Sequence, residues 1–178
     1  MREKVNAEKL KRFMKEIGRV GKKSAHIYLV GGATAVLLGW REATIDIDLK
    51  MVPELNEILR ILPALKERLQ VNIELASPDD FIPSLPGWEE RSSYITKEGA
   101  IQFFHYDFYA QALAKIERGH SNDMLDVRKM IEHGLVEPSR LLELFSRIED
   151  KLYKYPAVDE KSFRYEVEQV VNESQGSE

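Results

Sequence analysis

The sequence of 178 residues contains no cysteine. Disulfide bonds and thiolate metal sites are therefore excluded, and the absence fits a cytoplasmic setting. The chain also has no run of about 18 apolar residues, the length that a membrane-spanning helix needs. Its basic N-terminus is not followed by the apolar stretch of a secretory signal. We therefore expect a cytoplasmic protein with no membrane partner.

An overall positive charge is missing as well, because the net charge is −4. Charge is nevertheless uneven along the chain, and residues 1–23 hold nine Lys and Arg against three Glu. Such a run is typical of a solvated helix face, but it also suits an electrostatic contact with RNA or with an acidic partner. The sequence leaves both interpretations open.

Apolar residues make up 43% of the chain, which is typical of a globular protein large enough to bury a core. Hydrophobic periodicity predicts a mixed first part, residues 1–107, and a helical C-terminal region, residues 108–178, packed on it. In the first part we predict helices over 6–20, 33–38 and 53–69, strands over 26–30, 44–51 and 71–75, and a hairpin of 92–96 with 100–106. In the second part we predict helices over 108–118, 122–133, 138–153 and 160–172.

Details of these elements follow from single residues. Asn6, Ser121 and Asp159 are predicted to cap helices, and Pro63 is predicted to kink or divide the helix that contains it. The residues after Glu173 are expected to be disordered. The fold class is α/β in the α+β sense, a small mixed β-sheet backed by helices.

Two acids stand on the strand predicted over 44–51. Side chains alternate along a strand, so Asp46 and Asp48 face the same way, with Cα atoms roughly 6.5 Å apart. Mg²⁺ commonly takes one or two carboxylates and completes its shell with water and substrate phosphates. A solvent-facing strand surface is the plain alternative, although two adjacent like charges cost free energy unless a cation lies between them.

A glycine pair, Gly31-Gly32, separates the first predicted strand from the helix after it. Glycine permits positive φ and a close backbone approach, both of which a phosphate-binding turn needs. A tight turn without a ligand is the alternative. The pair lacks the third glycine of a dinucleotide fingerprint and the Gly-Lys-Ser/Thr of a P-loop, so neither of those nucleotide folds is favoured.

Further candidates lie on either side of the acidic strand. Glu74 falls on the next predicted strand and shares a face with Asn72, where it is either a third metal ligand, a base for an attacking hydroxyl, or part of a polar edge. Arg41 lies between the glycine pair and the acids. Its guanidinium suits a triphosphate, and an exposed loop arginine is the alternative.

A second cluster of charge lies in the helical region. Lys115 and Arg118 share one helix face, and Asp123 and Asp126 share a face of the next helix. These residues predict either an interhelical ion-pair cluster or a phosphate-binding cation oriented by Asp123. His105 and His120 lie apart from any metal-ligand spacing, and we expect both to be structural.

Together these residues resemble the nucleotidyltransferase superfamily, which has the DNA polymerase β-like fold. The family pattern is a hydrophobic residue, Gly, then Gly or Ser, a gap, and two acids separated by a hydrophobic residue. Here it reads Val30-Gly31-Gly32 and Asp46-Ile47-Asp48, with Gly32 where Ser is frequent. Glu74 fits the family's third acid. The closer likeness, through Lys115, Arg118, Asp123 and Asp126, is to small prokaryotic members related to AbiEii-type toxins.

The resemblance implies transfer of a nucleoside monophosphate from an NTP, such as ATP, to a hydroxyl of RNA, tRNA or protein. It implies that Asp46, Asp48 and Glu74 hold Mg²⁺ or Mn²⁺. It also implies nucleotide-binding residues, namely Gly31, Gly32, Arg41, Lys115, Arg118 and Asp123. A toxin with an antitoxin partner is a narrower form of this expectation. A non-catalytic nucleotide-binding or interaction module with the same fold is the alternative.

Overall fold

The structure, a computed structural model, describes residues 2–176. Over this range the chain forms five β-strands and eight α-helices. The strands are β1 (Ala25–Val30), β2 (Asp46–Val52), β3 (Asn72–Leu75), β4 (Ser93–Glu98) and β5 (Ile101–His105). The helices are α1 (Ala7–Val20), α2 (Gly32–Leu38), α3 (Asn56–Leu69), α4 (Trp88–Arg91), α5 (Phe108–Arg118), α6 (Ser121–Glu132), α7 (Pro138–Ile148) and α8 (Glu160–Gln175).

The strands form one mixed sheet in the order β3-β2-β1-β5-β4. The pairs β1–β2 and β4–β5 are antiparallel, whereas β1–β5 and β2–β3 are parallel. Strand β2 alternates strictly between buried and half-buried side chains. Its inward residues join apolar residues of α1, α3, β1 and β5 in one core, which includes Phe13, Ile27, Ile47, Leu65 and Phe103. The other face of the sheet carries the polar residues of β2.

The predicted fold class is confirmed, because a mixed sheet is combined with helices along the chain. Several local predictions are confirmed as well. The Asn6 side chain accepts a hydrogen bond from the backbone N–H of Lys9 at the start of α1. Asp159 caps α8 in the same way by accepting from Ser162. Short polar side chains thus begin both of these helices.

Other local predictions are wrong. Helix α3 begins at Asn56 rather than at Pro53, and it is not divided at Pro63, where a kink stays a prediction. Proline removes one backbone donor, but the buried residues of α3 lie at helical spacing in the core, and this packing stabilises the continuous helix. Ser121 is the first residue of α6, and the capping position belongs to His120. The helix predicted over 138–153 ends at Ile148 and continues as a 3₁₀-helix over Glu149–Lys154.

The chain groups into two compact units. The first comprises Met1–Ser77 and Ser92–Tyr106 and contains the sheet. The second comprises Pro78–Arg91 and Asp107–Glu178, so residues 78–91 group with the C-terminal helices. Arg91 explains part of this grouping, because its guanidinium donates to both carboxylate oxygens of the buried Asp107 at 3.2 and 2.8 Å.

The end of the chain is more ordered than predicted. Ser174 and Gln175 belong to α8, and the Ser174 hydroxyl donates to the Val170 carbonyl. Residues 177 and 178, which the same prediction covered, lie outside the described residues. In the part of the chain that the structure describes, no helix combines the length and the apolar character needed to cross a membrane.

Candidate active site

Three acids lie on the outward face of two neighbouring strands. Strands β2 and β3 run parallel, with Asp46 opposite Asn72 and Asp48 opposite Glu74. Residues that face each other across a ladder point to the same side of the sheet. Asp46, Asp48 and Glu74 therefore share one face, while Ile47 between them is fully buried. This register follows from the apolar alternation of β2, because the opposite face forms the core.

The Asn72 side chain joins two of these acids. Its amide nitrogen Nδ2 donates to Asp46 Oδ1 at 2.7 Å and to Glu74 Oε1 at 2.9 Å. The positive end of an amide dipole thus lies between two carboxylates, where it reduces their mutual repulsion. The sequence had shown that Asn72 shares a face with Glu74, but a carboxylate-bridging role follows only from the geometry.

The glycine turn lies beside Asp48. Val30, the last residue of β1, is opposite Asp48 in β2. Gly31 follows with φ 64° and ψ −125°, a backbone conformation that a side chain would strain. A Cβ added at Gly31 would be 3.7 Å from Asp48 Oδ2, so backbone and carboxylate approach each other closely.

At residue 32, a lack of space for a side chain accounts for the glycine. A Cβ at this position would overlap the side chain of Thr44, including its hydroxyl oxygen. Thr44 is held there by paired backbone hydrogen bonds with Val5, N to O in both directions, at 2.7 and 2.9 Å. The space that a Ser side chain would need at residue 32 is therefore filled by a hydroxyl from Thr44. Thr44 carries no signal in the sequence that marks it as part of the site, because its place depends on the pairing with Val5.

Arg41 lies just after the C-terminal end of α2, whereas the glycine turn lies at its N-terminal end. Gly39 closes this helix in the left-handed conformation, and the backbone N–H groups of Trp40 and Arg41 both donate to the Ala35 carbonyl. Helix α2 has seven residues, so its two ends are about 10 Å apart. Arg41 and Trp40 are half-buried. A triphosphate contact by Arg41 stays a prediction.

The charge cluster of the second unit is a buried ion-pair network. Lys115 Nζ donates to Asp126 Oδ2 at 2.9 Å and to Asp123 Oδ1 at 3.5 Å. Arg118 donates to both oxygens of Asp123, at 2.8 and 2.6 Å. The side chains of Lys115 and Asp126 are 9% and 1% exposed, whereas that of Arg118 is 57% exposed.

Charge inside this network is balanced. Burial alone would raise the pKa of Asp123, but hydrogen bonds and charge from Arg118 and Lys115 outweigh burial and lower the pKa. The interhelical ion-pair cluster expected from the sequence is therefore present. Of its two cations, Arg118 has the more exposed side chain, and nucleotide binding by Lys115, Arg118 and Asp123 stays a prediction.

His105 lies inside the first unit and away from solvent. Its Nδ1 is 3.0 Å from the hydroxyl oxygen of Thr34, which also donates to the Leu29 carbonyl at 3.3 Å. Burial lowers the pKa of His105 to about 4, so the ring is neutral at pH 7. This geometry supports a structural role for His105. His120 is exposed at the start of α6.

The chemistry of the acidic group fits a hard divalent cation, because its ligands are carboxylate oxygens that face one side. As the side chains stand between residues 2 and 176, however, no three or more His, Asp or Glu are grouped so as to hold a metal ion. Mg²⁺ needs no such group, since one or two carboxylates suffice when water and phosphates complete its shell. The metal site stays a prediction.

A mixed five-stranded sheet with helices before, between and after its strands is consistent with a nucleotidyltransferase-like fold. The chain belongs to a family described as nucleotidyltransferase of unknown function (DUF6036), and the match covers residues 8–174. Neither a curated protein nor a solved structure matched the chain. The relation to AbiEii-type toxins stays a prediction.

Proposed function

We propose that this protein transfers a nucleoside monophosphate from an NTP to a hydroxyl group of RNA, tRNA or protein. An acceptor oxygen attacks the α-phosphorus and forms a new P–O bond, while the bond to the β-phosphate oxygen breaks and pyrophosphate leaves. The hydroxyl proton passes to a carboxylate of the protein. The family supports a nucleotide substrate. The choice of RNA, tRNA or protein as the acceptor goes beyond what the family supports.

The observation that supports the proposal most is the common face of Asp46, Asp48 and Glu74 beside the Gly31 turn. Several ionised carboxylates on one face repel one another unless a positive charge compensates them. In the structure the Asn72 amide provides part of this compensation. A bound cation would provide more, and it would do so at the place where a triphosphate also needs neutralising.

Asp46, Asp48 and Glu74 would hold Mg²⁺ or Mn²⁺, which would neutralise phosphate charge and orient the triphosphate. Within this group Glu74 is the most exposed acid, and we assign it the hydroxyl proton. The backbone at Gly31 and Gly32 would approach the phosphates, with the Thr44 hydroxyl beside them. Arg41, Lys115, Arg118 and Asp123 remain candidates for further nucleotide contacts.

The test measures pyrophosphate release from each of four NTPs in the presence of total RNA, with and without Mg²⁺ or Mn²⁺. We expect release that needs the cation. Asp48→Asn removes a carboxylate charge and keeps the shape of the side chain, so we expect activity to fall by about 10²-fold or more. Glu54→Gln, an exposed acid in the turn before α3, is the matched control and should leave activity unchanged.

Cation-dependent release that persists unchanged in Asp48→Asn would reject the assigned site. No release from any NTP with RNA or with a protein acceptor would reject the enzymatic function. Labelled NTP separates the acceptors, because the label would move into RNA in one case and into protein in the other.

A non-catalytic nucleotide-binding module is the second candidate. The Asn72 bridge favours it, since two of the acids are already partnered without a cation. This candidate predicts nucleotide binding that is indifferent to Mg²⁺ and releases no pyrophosphate.

A toxin role is the narrower version of the first candidate. It predicts that expression in a bacterial host arrests growth, that Asp48→Asn relieves the arrest, and that an antitoxin partner suppresses it. Equal arrest by wild type and Asp48→Asn would contradict a toxin that acts through this site.

A further inference from the structure

The outward face of the sheet carries an aromatic cluster beside the acids. Across three strands, Tyr94 of β4 is opposite Phe104 of β5, which is opposite Tyr28 of β1. The Phe104 ring stacks on Tyr28 with centroids 5.3 Å apart and planes 26° from parallel. Tyr94 meets the same ring edge-on at 5.8 Å, and His26 lies 4.9 Å from it. Four rings therefore form one continuous surface around Phe104.

Part of this surface is open to solvent. Tyr94 is 59% exposed, and His26 is exposed as well. Phe104 is half-buried, whereas Tyr28 is only 2% exposed and anchors the cluster. Cross-strand aromatic pairs stabilise a sheet, but stability alone does not require a large ring to remain mostly in water. The exposed edge of the cluster is thus suited to a ligand with a flat face.

The charge around the rings is cationic or neutral. Register places Lys97 opposite Gln102, and both lie on the same side of the sheet as Phe104. In the part of the chain that the structure describes, no carboxylate stands at an outward position of β1, β4 or β5. Exposed aromatic rings beside a basic side chain are among the features with which proteins bind single-stranded nucleic acid.

The cluster also leads toward the acids. Tyr28 precedes Val30 by two residues on the same face of β1, a distance of about 7 Å along the strand. Val30 is opposite Asp48. The exposed rings and the carboxylates therefore lie on the same face of one sheet, with Phe104 two strands from Asp48.

We propose that this aromatic face, formed by His26, Tyr94, Lys97 and Phe104 over the buried Tyr28, binds the single-stranded RNA acceptor of the proposed transfer. The inference rests on the proposed function and names its acceptor class. Unpaired bases stack on the rings, and Lys97 contacts the phosphate backbone. The face directs the end of the strand toward Asp48.

RNA binding is measured without turnover, by fluorescence anisotropy of a labelled single-stranded RNA of about 12 nucleotides. Tyr94→Ala should weaken binding about tenfold, and Tyr94→Phe, which keeps a ring, should restore most of it. Lys97→Ala should weaken binding less and make the salt dependence shallower. Tyr153→Ala is the matched control, because Tyr153 is 69% exposed and has Lys154 over its ring in the second unit.

Equal affinity of wild type and Tyr94→Ala for RNA would overturn the proposal, and so would the absence of RNA binding. A rise in KM for the NTP in Tyr94→Ala, with RNA affinity unchanged, would also overturn it and assign the rings to the incoming base. Modification of protein without RNA binding would overturn it too. RNA binding that depends on Tyr94 without any pyrophosphate release would reject the proposed transfer while retaining the RNA-binding face.

Discussion

The acids of the sheet and the acids of the second unit look alike in sequence but differ in their surroundings. Asp46 and Asp48 lie half-buried on an outward face, and the bridging partner of Asp46 and Glu74 is a neutral amide. Asp123 and Asp126 are buried, and Lys115 and Arg118 compensate them. The acids of the first group thus lie on an outward face with a neutral amide between two of them, whereas those of the second have cationic partners.

This difference separates two uses of the same residue type. A buried ion pair with matched charges contributes structure, and breaking it leaves a charge without compensation. Accessible acids of one sign contribute little to stability and are available for chemistry. If this comparison is right, substitutions in the second unit should change folding and those on the sheet should change activity.

The largest effect on stability is expected from Lys115→Met. It leaves Asp123 and Asp126 buried without their shared cation, which should cost about 3–5 kcal/mol of unfolding free energy. Urea denaturation monitored by circular dichroism measures this cost. Adding Asp126→Leu should recover part of it, because removing both partners of a buried pair is less harmful than removing one. A cost no larger than that of a surface substitution would contradict a structural role for this ion-pair network.

Gly32→Ala should have the next largest effect. Its methyl group overlaps Thr44, so we expect a loss of about 1–3 kcal/mol from overpacking. Thr44→Gly makes room for that methyl, and the double variant should lose less than the sum of the two single variants. The same denaturation measurement tests this coupling. Simple additivity would show that the close approach at Gly32 is not what excludes a side chain.

His105 provides a titration test in the first unit. Its pKa is about 4 in the folded protein against an ordinary value of 6.5, so the unfolded chain takes up a proton first as pH falls. Its contribution to stability is fully present above pH 6.5 and is lost as pH falls toward 4. By pH 5 the loss should be about 2 kcal/mol.

Unfolding free energies measured across this pH range check the prediction. His105→Gln should flatten the slope, and His120→Gln, at an exposed position, should not. An unchanged slope in His105→Gln would assign the pH dependence to other groups.

The smallest change in stability is expected from Asp48→Asn. Loss of one of several like charges should alter the unfolding free energy by less than about 1 kcal/mol, in either direction. The wild type should melt at a higher temperature with Mg²⁺ and a non-hydrolysable NTP, and this increase should disappear in the variant. Differential scanning fluorimetry measures both effects. A melting temperature that falls sharply in the variant without ligand would make Asp48 a structural residue.

Much of the fold follows from local patterns. The alternation of β2 predicted its two faces, and Asn6 and Asp159 predicted the beginnings of their helices. Pro63 does not divide α3, because tertiary packing of the helix outweighs the loss of one backbone hydrogen bond. The grouping of residues 78–91 with the C-terminal helices does not follow from such local patterns. It depends on contacts distant in sequence, such as Arg91 with Asp107.

The candidate site shows the same limit. Asp46, Asp48 and Glu74 are predicted from alternation and from the family pattern, because both are properties of short segments. Thr44 and the Asn72 bridge were missed because they depend on how segments pack side by side. The ion pairs of Lys115 also could not be predicted with certainty, since the sequence allowed an ion-pair cluster and a phosphate-binding site equally.

The two-residue period of β2 ties the acids to the core. Insertion of one residue directly after Asp46 would turn every later side chain of the strand over, sending the Asp48 carboxylate inward and Ile47 and Leu49 into water. Loss of the site by such a shift would therefore also unfold the sheet. The connection between Gly39 and Thr44 has no such constraint, so changes in length among descendants of this chain should accumulate there and spare the strand.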